Sequence, residues 1–252
     1  MKKLAISLLL ALTPAIVLAA APSLPLMDIQ ADHSNKESLQ NGAKMYVNYC
    51  MGCHSLKYMR YERVAADLDI PLDLMQEHLN FAGQPIGDIY PPKRVGELMT
   101  IAADEKAQKR WFGVTPPDLT LATRVRGGPD WMYTYLMSFY KDDSRPYGVN
   151  NKVFKDVGMP HVLADLQGVQ ECEVHVDEHN TKQVGKCKIT QSGSMNEEEY
   201  EIAVYDLVNF LDYAAEPYKT ARTTLGLKVL AFVLLFLFVA VLLNREYWKD
   251  VH

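Results

Sequence analysis

The chain has 252 residues, enough for one or two domains, with 31 acidic against 26 basic side chains and a formal charge of −5. An acidic excess argues against a nucleic-acid partner and makes a basic protein the better electrostatic match. Four cysteines fall into two pairs, Cys50 with Cys53 and Cys172 with Cys187.

Residues 1–19 read as a signal peptide. Lys2 and Lys3 form a charged start, Leu4 to Leu18 an apolar run, and Val17-Leu18-Ala19 a small-residue cleavage site. Pro14 and the shortness of the run oppose an uncleaved anchor helix. Cleavage after Ala19 removes Lys2 and Lys3 and no acid, leaving 24 basic residues against 31 acidic ones and a charge of −7. Export places the cysteines in an oxidising compartment, where a spare thiol pair normally becomes a disulfide.

Residues 20–34 are irregular and predicted to be a loose lead-in. A helix is predicted from Ser38 through Tyr49 into Cys50. Gln84 to Pro92 is a loop by its glycine and proline content, and Lys93 to Trp111 is rich in helix formers. After Thr115-Pro116-Pro117-Asp118, a second helix is predicted from Pro129, suited to a first turn, to Tyr140. Residues 141–161 read as loop. Alternating Val174, Val176, Val184 and Ile189 predict a small hairpin within residues 170–191. Asn196 and Glu199 make a capping-box start for a helix that carries Tyr200, Val204, Leu207, Val208 and Leu211 at helical spacing. Pro217 interrupts it.

Leu225 to Leu243 is a run of 19 residues with one charge, Lys228, near its start. At ~1.5 Å per residue it reaches about 28 Å, close to the thickness of a hydrocarbon core. Lys228 can snorkel, and Tyr247 and Trp248 fall where an aromatic belt would lie. Basic residues flank the run on both sides, so the export leader sets the orientation. It leaves residues 20–217 outside and a short tail inside, with residues 218–252 as the anchor. Two acidic clusters, Asp142-Asp143 and Glu197-Glu198-Glu199 with Glu201, admit two readings: a docking face, or solvated surface and a helix start.

The decisive motif is Cys50-Met51-Gly52-Cys53-His54, a C-x-x-C-H run. Two sulfurs at this spacing reach the two vinyl groups of one haem edge, and the following histidine presents its imidazole to the iron. A thioredoxin-like redox pair would need a βαβ pattern that is missing here, and a zinc site two further ligands at matching spacing. An electron carrier also needs a sixth ligand, for which methionine's soft thioether favours the reduced iron. Met59, Met75, Met99, Met132, Met137, Met159 and Met195 are candidates, with His161 as an alternative. Met132 and Met137 fall on a predicted helix and read as core. Met159 stands apart in Gly158-Met159-Pro160, where glycine permits close backbone approach and proline directs the loop.

Four segments occur in the same order as in the cytochrome c1 family, which the chain resembles over nearly all of its mature length. They are CHSLKYMRYERV from Cys53, PPDLT from Pro116, GMPHVL from Gly158 and DLVNFLDYAAEPYKTARTTLG from Asp206. The resemblance implies a mainly α architecture: a class I cytochrome c-like haem domain with loop insertions, then one C-terminal transmembrane helix. It implies one covalent haem c, with Met159 as the sixth ligand and Pro116 and Pro117 near the haem. An arginine of the family meets a haem propionate. In Thr123-Arg124-Val125-Arg126-Gly127-Gly128 both Arg124 and Arg126 compete for that role, and Trp131 stands where the family commonly has tyrosine.

The resemblance further implies a subunit of ubiquinol–cytochrome c reductase in a bacterial inner membrane, with its haem domain on the periplasmic side. Its partners would be cytochrome b, a Rieske iron–sulfur protein as donor and a cytochrome c as acceptor. Two other readings are an oxidase subunit, which tends to carry its anchor at the N-terminus, and a peroxidase, which needs an open sixth position. Cys172 and Cys187 have two readings as well. With His175 and His179 they have the spacing of a zinc site, while export favours a disulfide.

Overall fold

The computed structural model describes residues 25–80, 96–176 and 182–249. The signal peptide and the loop from Gln84 to Pro92 lie outside the described residues. Residues 25–34 are irregular as predicted but not loose. The Met27 amide donates to Thr134 Oγ1 at 2.8 Å and the Ile29 amide to Asp130 Oδ1 at 3.0 Å, so this segment is fastened along a later helix.

Helix α1, Lys36–Met45, starts where the Asn35 side chain accepts from the Ser38 amide. It continues as one wider turn, Tyr46–Cys50, in which the Met51 amide reaches back five residues to the Tyr46 carbonyl. The predicted helix is therefore present, with its last turn widened into the cysteine motif. β1 (Leu56–Arg60), α2 (Tyr61–Asp67) and α3 (Leu72–His78) follow. The stretch to Trp111 is only partly helical. β2 (Leu98–Met99) pairs antiparallel with β1, placing Met99 opposite Leu56 in the core, and α4 (Glu105–Phe112) starts at an Asp104 cap.

After the short α5 (Ala122–Val125), helix α6 covers Pro129–Met137 and stops before the predicted Tyr140. The Asn151 side-chain amide takes the Tyr135 carbonyl at 2.7 Å, and the Lys152 amide takes the Ser138 carbonyl. Those carbonyls are thereby satisfied outside the helix, and the chain leaves as β3 (Phe139–Lys141), paired with β4 (Val149–Asn151). The loop predicted over residues 141–161 thus contains a strand. The short α7 (Ala164–Gln167) leads into the hairpin β5 (Gly168–Val176) and β6 (Lys182–Ser192), as the alternation predicted.

Helix α8, Glu197–Ala215, carries the capping box between Asn196 and Glu199 that the spacing indicated. It forms the spine of the core, with Val204, Leu207, Val208, Phe210 and Leu211 buried. α1 crosses it at Gly42, where an added methyl would overlap the Asp206 carbonyl oxygen and Phe210 Cβ. The last helix, α9, runs Lys219–Tyr247, six residues earlier than the apolar run begins. Its 29 residues are long and apolar enough to cross a membrane, and none is buried against the rest of the protein.

Candidate functional site

The wide turn after α1 delivers Cys50 into the core and sets Cys53 half-buried beside it; both are free thiols. The Cys53 and His54 amides both return to the Cys50 carbonyl, and the Tyr46 hydroxyl takes the His54 carbonyl at 2.7 Å. Burial, with Cys53 adding to it, pushes the Cys50 thiol up to about 12, and burial raises Cys53 as well. Neither ionises at neutral pH.

His54 Nδ1 lies 2.7 Å from the Pro117 carbonyl oxygen. A carbonyl only accepts, so Nδ1 carries the proton and Nε2 keeps its lone pair. Burial holds the imidazole below its ordinary pKa, against the opposite pull of the Pro117 carbonyl and of Asp118. The ring is neutral, the form that binds a metal. The partner loop is itself anchored, since Asp118 accepts from the Lys57 and Thr120 amides at 2.8 and 3.0 Å and the Leu119 amide donates to the Ser55 carbonyl. Two free thiols beside an oriented imidazole that keeps a lone pair on Nε2 are the donor set that a C-x-x-C-H haem requires, and the residues fit that group.

Packing sets four of the candidate methionines apart from Met137, Met159 and Met195, which all lie half-buried against the core. Met59, Met75, Met99 and Met132 are buried in the hydrophobic core, and Met137 and Met195 pack against it. Met159 is half-buried on its loop, and its sulfur receives the Tyr135 hydroxyl at 3.4 Å. His161, the alternative, is engaged elsewhere: its Nε2 meets Gln167 Oε1 at 2.8 Å and its ring stacks on Phe139.

Residues 27–251 match the Cytochrome C1 family. The chain belongs to this family. It is 46% identical over the full length of both chains to the cytochrome c1 of Allochromatium vinosum. It is 40% identical to the ammonia monooxygenase gamma subunit of Nitrosomonas europaea, over 96% of this chain and 95% of the relative. The cytochrome c1 of Rhodospirillum rubrum is 26% identical over 86% of this chain and 83% of its own. Membership makes the chain a haem c electron-transfer subunit of the bc1 complex, with a mainly helical class I c-type haem domain.

In this family member the two competing arginines face different surroundings. Arg124 pairs with Glu216 at 3.1 Å, at the end of α8. Arg126 lies over the Trp131 and Phe154 rings, 5.9 and 5.5 Å from their centroids, and its charge is felt at Tyr135. Cys172 and Cys187 are directly opposite in the β5–β6 register and form a disulfide, which removes both thiolates from the zinc-site reading. Reading the sequence missed two contributors, Asp118 and Tyr135. Tyr135 had a usable signature, an aromatic residue every fourth position at Trp131, Tyr135 and Phe139 across the helix predicted from Pro129 to Tyr140.

Proposed function

We propose that the chain carries one haem c bound through thioethers to Cys50 and Cys53, with His54 and Met159 as the iron ligands. On this reading it takes single electrons from a Rieske iron–sulfur protein and gives them to a cytochrome c acceptor, assembled beside cytochrome b. The observation that carries the reading is His54, fastened by Nδ1 to the Pro117 carbonyl so that Nε2 keeps its lone pair, beside the free thiols of Cys50 and Cys53. When bound, the haem supplies the one-electron couple. The chain supplies attachment and ligand orientation.

Each residue has a share in that work. Cys50 and Cys53 hold the group permanently, Pro117 sets the His54 tautomer and ring plane, and Pro116-Pro117 stiffens the loop that does so. Met159 would hold the iron from its thioether, a soft donor that favours the reduced state. Arg126, beside the Trp131–Tyr135 stack, is the better placed of the two arginines for a propionate, because Arg124 is engaged by Glu216. This reading puts the haem domain, residues 20–217, on the periplasmic side of a bacterial inner membrane, with 218–252 as anchor and short cytoplasmic tail; the leader-like residues 1–19 and the apolar run at 225–243 support it.

Met159→Leu keeps the apolar volume and removes the sulfur. Its reduction potential should fall by more than about 59 mV, a factor of ten for one electron. The weak sulfur-to-iron absorption band of the oxidised protein should disappear, while Cys50→Ser should lose stable two-bond haem attachment on a denaturing gel. A Met159→Leu protein that keeps the band and the potential removes Met159 as the ligand.

A further inference from the structure

We infer that Tyr135 is a positioning residue for the Met159 sulfur, its hydroxyl holding the thioether in place and drawing electron density from it. The inference rests on the reading of Met159 as an iron ligand. Tyr135 is held from three directions. Its ring stacks on Trp131 at 5.1 Å and 10° and meets the edge of Phe139 at 5.1 Å, while its carbonyl is taken by Asn151 at 2.7 Å. Phe139 in turn stacks on His161 at 4.9 Å, two residues beyond Met159. The aromatic ladder therefore touches the Met159 loop at two points, Met159 and His161.

With the ring so placed, the hydroxyl points at Met159 Sδ, 3.4 Å away. A thioether is a weak acceptor, so nothing about sulfur alone would draw a tyrosine to it. The packing of the ring brings the two together, and the contact satisfies a hydroxyl that is otherwise buried. A sulfur that accepts this bond on one lone pair is a poorer donor through the other. The oxidised iron depends more on that donation than the reduced one, so the contact favours the reduced state and raises the potential.

Tyr135→Phe tests this in the membrane-bound protein, since it removes one oxygen and leaves both ring contacts. Redox titration should show the equilibrium moved about three- to tenfold toward the oxidised form, at most about 59 mV. The sulfur-to-iron band should remain. Tyr133→Phe removes a hydroxyl from the same helix on the side near Tyr200 and Glu201, and should leave the potential unchanged. Met159→Leu is titrated alongside. Loss of its band together with an unchanged potential in Tyr135→Phe would overturn this inference and leave Met159 as ligand. Retention of the band in Met159→Leu would overturn both, and an equal shift in Tyr133→Phe would show a general helix effect and overturn the role of Tyr135.

Discussion

Asp118 uses one oxygen on the Lys57 amide and the other on the Thr120 amide, and so ties the Pro117 loop to the strand that follows His54. Its removal strands two amides and frees the carbonyl that orients the imidazole. Asp118→Ala should cost about 1–3 kcal/mol, read as an earlier loss of the low-spin haem spectrum in denaturant, and Asp118→Asn about half of that. An unchanged midpoint for the alanine variant would show that the loop is held by Leu119 and Ser55 alone. The contrast between Asp118 and its neighbours shows which information a sequence carries at this scale. Cys50, Cys53 and His54 are legible because covalent spacing alone dictates their use. Asp118 acts on an amide 61 residues away and no local pattern records that, while Tyr135, whose partner is 24 residues away, leaves only the spacing of its aromatic neighbours.

Where α1 crosses α8, Gly42 lies directly against the Asp206 carbonyl and Phe210. An isolated helix gains about 0.5–1 kcal/mol when glycine becomes alanine. At this crossing the sign should reverse, because a backbone carbonyl cannot turn aside and the helices must separate. Gly42→Ala is expected to destabilise by about 3 kcal/mol in denaturant unfolding, and any gain in stability would show that the crossing is loose. Elements set by local signals were legible: the Asn196–Glu199 capping box, the β5–β6 hairpin and the long apolar helix. The errors fall where a distant strand competes for backbone groups. α6 ends early because Asn151 and Lys152 take its last carbonyls, and Leu98–Met99 becomes a strand because β1 offers a partner. Propensity along residues 93–111 does not contain the second fact, nor propensity along 129–140 the first.

On the scale of the whole molecule, the acidic excess has structural employment. Glu197, Glu198 and Glu199 occupy the first turn of α8, where negative charge complements the helix dipole, and Asp142 accepts from Ser144 and Asn150 in a turn. Further acids join the haem domain to its anchor. Glu216 meets Arg124 and Arg222, and Arg63 donates to the Tyr218 hydroxyl while lying over its ring. Asp212, near the end of α8, meets His33 at 2.9 Å and Lys219, the first residue of α9, at 3.0 Å. Burial alone would raise the Asp212 carboxyl, yet the bonds from His33 and Lys219 outweigh it and hold the group below its ordinary 3.8. A carboxylate lowered on folding contributes stability that is complete above its ordinary value and lost as pH falls through the lower folded one. Asp212→Asn should therefore lower the unfolding free energy of the detergent-solubilised protein by about 2 kcal/mol at pH 7. The gap to the unaltered protein should shrink once the pH drops below about 4, as its own Asp212 takes up a proton and becomes as neutral as the amide. A gap as wide in acid as at neutrality would mean that Asp212 acts through shape rather than charge, and the ionic account of this junction would fail.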